Sequence, residues 1–167
     1  MEVPTLVQLR HNKASALARS RGKKWEAVFK MPNGRCRSIT FGAEGASDFT
    51  IHKDPVRWSL YLRRHGAAAP EDKPASFWQK LSQQSSTSLS RRHGWALQSY
   101  KEHWDEPVSP GALSRFILWN KPDFTQSLRD AIQYFTSKKM LCVPDVGVRV
   151  VLGRTSDHPG VPKFVHA

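Results

Sequence analysis

Between Trp25 and Met31 apolar and polar side chains alternate. Trp25, Ala27, Phe29 and Met31 fall on one face, with Glu26 and Lys30 on the other. A period of two is the signature of a half-buried strand. Asn33-Gly34 follows, a pair that favours a type I′ turn because both central residues of that turn need φ > 0. Arg35–Phe41 returns as the partner strand, with Ile39 and Phe41 on a shared face. A two-stranded hairpin is marginal alone, so some third element must cover it.

The period then lengthens. Trp58, Tyr61, Leu62 and His65 stand at i, i+3, i+4 and i+7, the stripe of an amphipathic helix. Asp54-Pro55 opens it, with Asp accepting free N–H groups and Pro tolerated at the first helical position, and Gly66 stops it. The outer face of helix 55–65 carries Arg57, Arg63 and Arg64. Ala75–Gln83 and Gly94–Trp104 are weaker helical segments. Ser109-Pro110 opens a helix through Leu113, Phe116, Ile117 and Leu118 that ends near Asn120, before Pro122. Asp123 or Thr125 caps another, with Leu128, Ala131, Ile132 and Phe135 at core spacing and Lys138 and Lys139 at the end where cations favour the dipole.

Between these lie Gly66–Ser76, a linker by its two prolines and small residues, and Ser82–Ser90, a polar low-complexity stretch expected as a mobile loop. From Val143 to Gly153 the chain turns β-branched; Val146–Leu152 either adds a strand to the hairpin or belongs to an extended arm that docks on a neighbour. The expected fold is α+β: a small β-hairpin packed with three to five short helices and flanked by extended N- and C-terminal arms. The expected division is a basic arm at 1–24, a compact domain at 25–140 with an inserted linker and helical segment at 67–103, and a C-terminal strand or extended tail at 141–167.

Charge sharpens this picture. The 167 residues hold 26 Lys plus Arg against 14 Asp plus Glu, a net +12. Residues 1–37 carry Arg10, Lys13, Arg19, Arg21, Lys23, Lys24, Lys30, Arg35 and Arg37 against Glu2 and Glu26, which is +7 of that total. An acidic partner follows: nucleic acid, an anionic membrane face or an acidic protein surface. No apolar run approaches the roughly 20 residues of a spanning helix, and MEVPTLVQLRHNK has no leader pattern. Cys36 and Cys142 are too few for a disulfide framework and lack zinc spacing, so no metal or cofactor is expected. Cys142, in an apolar run, reads as a small core residue.

Catalytic arrangements are weak. Asp48, His52, Lys53 and Asp54 make a polar cluster in DFTIHKDP. As chemistry it would use His52 as a base or ligand, yet no nucleophile or second ligand pair accompanies it. The simpler reading has Asp54 as a helix cap and His52 as a hydrogen-bonded loop residue. Glu102, His103, Asp105 and Glu106 match no site and read as solvated surface. Trp25 beside Lys23 and Lys24, and Trp58 beside Arg57, have the composition of a stacking platform for bases, but both tryptophans lie on faces expected to be buried.

The run FGAEGASDFTIHKDPVRWSLYLRRHG (41–66), followed by PGALSRFILWNKPDFTQSLRDA (110–131), resembles a small family encoded by nucleocytoplasmic large DNA viruses of algae and amoebae. The resemblance rests on Ser47, Asp48, Phe49, Thr50, His52, Lys53 and Asp54, then on Ser114, Arg115, Leu118, Trp119, Asn120 and Pro122, and covers about residues 25–65 and 104–132. Residues 67–103 and the tail after Met140 stand outside the family pattern. The resemblance implies a viral origin, no enzymatic activity to carry over, and a structural role for Asp48, His52, Lys53, Asp54, Ser114, Arg115, Trp119 and Asn120.

It implies a non-enzymatic virion protein, a minor capsid protein bridging or cementing major capsid subunits of a large icosahedral particle. Its partners would be the major capsid protein and further minor proteins, with no small-molecule substrate and membrane contact left open. Its compartments would be the virion and, during assembly, the host cytoplasm or nucleus. The alternative is a basic DNA-binding or genome-packaging accessory protein. In either case the residues expected at the acidic partner are Arg10, Lys13, Arg19, Arg21, Lys23, Lys24, Arg57, Arg63 and Arg64.

Overall fold

A computed structural model of the chain describes residues 2–153, 158 and 160–167. The fold is α+β, a five-stranded sheet in the order β3-β2-β1-β4-β5 with seven α-helices among the described residues. The predicted hairpin is β2 (Lys23–Lys30) and β3 (Cys36–Ala43), antiparallel, with Trp25 opposite Phe41 and Ala27 opposite Ile39. Its turn differs from type I′. Gly34 N donates to Met31 O at 2.8 Å, and only Gly34 of the Asn-Gly pair has positive φ, at 85°. Pro32 holds the negative φ of the second turn position, which selects a type I turn closed by a left-handed glycine.

The element that covers the hairpin edge is the supposed N-terminal arm. Residues Thr5–His11 form β1, the central strand, antiparallel to β2 and parallel to β4 (Val148–Val151). A bulge between Leu6 and Gln8 lets Leu6 oppose Phe29 and Leu9 oppose Ala27, so two leucines three residues apart face the same core. A bulge breaks the alternation by which a strand is recognised, and for that reason the segment reads as an arm. Helix α1 (Ala16–Ser20) follows. Its cap, Ser15, accepts from Ala18 N at 3.0 Å and donates to the buried Glu26 at 2.9 Å, tying the helix to the sheet.

The C-terminal segment also joins the sheet: β4 extends it through β1 rather than through the hairpin, and β5 (Phe164–Val165) pairs antiparallel with β4. Residues 154–157 and 159 of the expected tail lie outside the described residues, as does residue 1 of the expected arm. Cys142 is exposed and bridges to Thr5 through its backbone, so it is not a core residue.

The helices that follow β3 share one hydrophobic core with Trp25, Ala27 and Phe41 of the hairpin. Asp48 caps α2 (Phe49–His52) and Asp54 caps α3 (Pro55–Arg64), whose Trp58, Tyr61 and Leu62 are buried as the stripe predicts. α6 (Pro110–Leu113) runs into one π-helical turn, Ser114–Leu118, which buries Arg115, Phe116, Ile117 and Leu118 consecutively. The carbonyl of Ile117 is taken by Ser127 Oγ at 2.6 Å. α7 (Phe124–Ser137), capped by Asp123, lays Leu128, Ala131, Ile132 and Phe135 into the core, and Phe124 stacks on Trp25 at 4.8 Å.

The segment 67–103 is part of this body. It contains α4 (Ala75–Ser82) and α5 (Ser86–Arg92), the latter where a mobile loop was expected. Ser85 caps α5, and Ser86 donates to Asp130 of α7 at 2.6 Å. Serine-rich sequence here supplies caps and buried hydrogen bonds rather than a solvated loop. Only Gly94–Leu97 of the next predicted helix is helical, as a single 3₁₀ turn.

Candidate functional site

A cleft of about 700 Å³ opens between three walls: the end of β3 with the loop to α2, one face of α3, and the loop over residues 101–111. The glycine at 42 makes the inner corner, with φ of 76° and so little room that a Cβ would lie 2.7 Å from Leu118 Cδ1. Trp119, Tyr61 and His65 form a continuous stack along one side. Trp119 and Tyr61 are parallel within 5° at 4.2 Å, and Tyr61 and His65 lie 4.1 Å apart. His65 Nδ1 pairs with Glu102, which also accepts from Trp104 Nε1 at 3.1 Å. Burial pushes the Tyr61 hydroxyl well above its ordinary value, with the Glu102 charge adding to the effect.

Cations surround this cleft: Lys23, Arg57, Arg64 and Lys101 line it, together with Lys24 at its base. Lys24 is not available to a partner. It is buried and paired with the equally buried Asp48 at 2.8 Å, while Asp48 also accepts from Thr50 N at 2.9 Å. This corrects the expectation that Lys24 meets an acidic surface; a buried carboxylate beside it would otherwise be left unpaired, a loss of several kcal/mol, about 3–5.

The other predicted contact residues divide. Arg57 and Arg64 share the exposed face of α3. Arg63 is half-buried and donates to Pro70 O at 3.1 Å. Arg10 lies 4.0 Å from Glu26, Arg19 donates to Asn12 O at 2.6 Å, and Arg21 reaches Thr40 at 3.4 Å, while Lys13 is exposed beyond β1. None of Arg10, Lys13, Arg19 or Arg21 lines the cleft. Lys101 and Glu102 leave no sign of the site in the sequence, because they reach α3 and its C-cap only through contacts spanning more than thirty positions, Lys101 Nζ to Arg64 O at 3.1 Å and Glu102 to His65.

The motif residues hold the helical layer. Arg115 is fully buried, donating through Nε and Nη2 to Ala96 O at 3.2 and 2.8 Å and through Nη1 to Trp119 O at 2.9 Å. Burial draws its pKa down to about 10, so it stays charged at neutral pH. Asn120 donates to Asp130 at 2.8 Å and accepts from Lys121 at 3.0 Å; burial lowers Lys121 to about 8. Lys53 sits in the left-handed region, φ 57°, and donates to Pro122 O at 2.6 Å. Ser114 and Trp119 border the cleft. Trp25 and Trp58 are buried, so neither is a stacking platform.

His52 Nδ1 accepts from Asp54 N at 3.0 Å, which requires that nitrogen to be unprotonated. Its Nε2 is buried and has no hydrogen-bond partner among the described residues. Burial first, then the nearby Arg57, lowers its pKa below the usual 6.5. Between that lowered value and 6.5 the unfolded chain binds a proton the folded chain refuses, so stability falls as pH drops through this window. An NMR titration of the His52 ring is expected to give a midpoint below 6.5, and one at or above it contradicts the assignment.

No group of three or more His, Cys, Asp or Glu among the described residues is placed to hold a metal, and no helix among them is long and apolar enough to cross a membrane. Residues 17–65, from within α1 to the end of α3, match the model of a family of unknown function, DUF5754. No curated protein and no solved structure matches the chain.

Proposed function

We propose that this chain is a non-enzymatic virion structural protein, a minor capsid protein that binds acidic surfaces of major capsid subunits in a large icosahedral DNA virus. The observation that supports this reading is how the carboxylates are used. Glu26, Asp48 and Asp130 are engaged inside the body, Asp54 and Asp123 cap helices, and Glu102 pairs with His65. Glu2, Glu44, Glu71, Asp72, Asp105, Glu106 and Asp145 are exposed, but the exposed lysines and arginines outnumber them, which suits adhesion to acidic neighbours. The resemblance of residues 41–66 and 110–131 to a viral family supports reading those neighbours as capsid proteins. Folding of both expected arms into the sheet moves the bridging role from flexible extensions to a rigid body.

A second reading, a DNA-binding or genome-packaging accessory protein, is favoured by the convergence of Lys23, Arg57, Arg64 and Lys101 on one cleft. Fractionation of infected-cell particles separates the two. Under the capsid reading the protein is retained at fixed copy number in shells emptied of DNA. Release with the genome, together with duplex binding that weakens steeply with salt, overturns it in favour of the second reading.

A further inference from the structure

We infer that the α3 cleft and the ring of Tyr100 beside it form a binding site for single-stranded nucleic acid. Tyr100 is 80% exposed, and its backbone is fixed by a 3.1 Å hydrogen bond from its N–H to Gly66 O. The ammonium of Lys101 lies 5.5 Å from the centre of that ring and is held at 3.1 Å from Arg64 O. A flat aromatic surface is thus presented to solvent next to a cation that lines the cleft.

The cations continue from there. Arg57 and Arg64 are both exposed on α3, seven residues or about 10 Å apart along the helix axis. Both also border, with Trp119, an adjoining wedge of about 440 Å³. Lys23 lies on the far wall. This arrangement combines a positive groove that follows a backbone with an aromatic on which a base stacks, and such stacking tolerates any sequence because every base has a π face. An acidic peptide would use the cations and leave the Tyr100 ring without a partner. A duplex hides its base faces, so it would use the ring no better.

The inference rests on the nucleic-acid reading above. The experiment is fluorescence anisotropy of a labelled oligothymidylate titrated with the full chain over a range of salt. Four phosphate contacts predict a log–log salt slope of about −3 for a single strand. Tyr100→Ala is expected to weaken binding by about fivefold or more, while Tyr100→Phe keeps it. Arg57→Glu with Arg64→Glu is expected to abolish it, and Lys138→Glu with Lys139→Glu, at the end of α7, to leave it within about twofold of the parent protein at fixed salt. Circular dichroism melts establish that each variant is folded.

Equal loss in the α7 variant, or no effect of Tyr100→Ala, overturns the site. So does equal competition by a poly-glutamate peptide. Tight duplex binding with weak single-strand binding overturns the cleft assignment while sparing the broader reading. Absence of salt-sensitive binding to either overturns both.

Discussion

Removing residues 2–11 is expected to abolish cooperative folding. The deleted segment contains β1, which hydrogen-bonds to β2 on one side and β4 on the other. Leu6 and Leu9 are at most 3% exposed, and losing each from a packed core costs about 2–5 kcal/mol. The backbone links Leu6 N to Cys142 O and Cys142 N to Pro4 O, both 2.9 Å, are lost as well. Since β4 and β5 reach the hairpin only through β1, the β4–β5 pair loses its strand contact with the rest of the sheet. Together these losses are comparable with a typical total stability of about 5–15 kcal/mol. Far-ultraviolet circular dichroism with a thermal melt is the check. A sharp transition close to that of the full chain would mean the segment is a dispensable arm. Lys13→Gln, which removes one exposed charge and no sheet contact, is expected to leave the melt in place.

The contrast between β1 and the hairpin shows what a single sequence reveals. Trp25, Ala27 and Phe29 announce a strand through local alternation, and Asp54-Pro55 announces a helix through its cap. Both signals act over a few residues and survive in the fold. β1 depends on a bulge and on a parallel partner some 140 positions away, as in Gln8 opposite Arg149, and neither leaves a local trace. The candidate site divides in the same way. Arg57 and Arg64 are visible as the polar face of an amphipathic helix, whereas Tyr100 and Lys101 join them only when the chain returns past Gly66. Charge is the other source of error. Lys and Arg are mostly exposed, so nothing in the composition marks Lys24 or Arg115 as buried.

Arg115→Ala is expected to cost about 3–5 kcal/mol, by leaving a cavity in a close-packed centre and the carbonyl of Ala96 without its donors. The guanidinium lies 5.8, 5.5 and 5.1 Å from the rings of Trp58, Trp104 and Phe116, and no carboxylate comes within ion-pair distance among the described residues. Its charge is therefore a burden that burial imposes, and its benefit lies in the planar fork and in filling volume. The two contributions separate on substitution. Arg115→Met keeps most of the stem and discards the charge, so it is expected to lose less than Arg115→Ala. Arg115→Lys keeps a charge, but a single ammonium cannot reproduce the paired donation to Ala96 O and the opposed donation to Trp119 O. It should be less stable than Arg115→Met even though it looks more conservative. Trp119 O remains satisfied in every variant by Trp58 Nε1 at 2.9 Å, which confines the orphaned acceptor to Ala96 and links the loss to the 3₁₀ turn of the 67–103 segment. Urea unfolding followed by tryptophan fluorescence measures all three. A lysine variant within about 1 kcal/mol of the parent protein, or more stable than the methionine variant, would show that the charge itself holds the helical layer together.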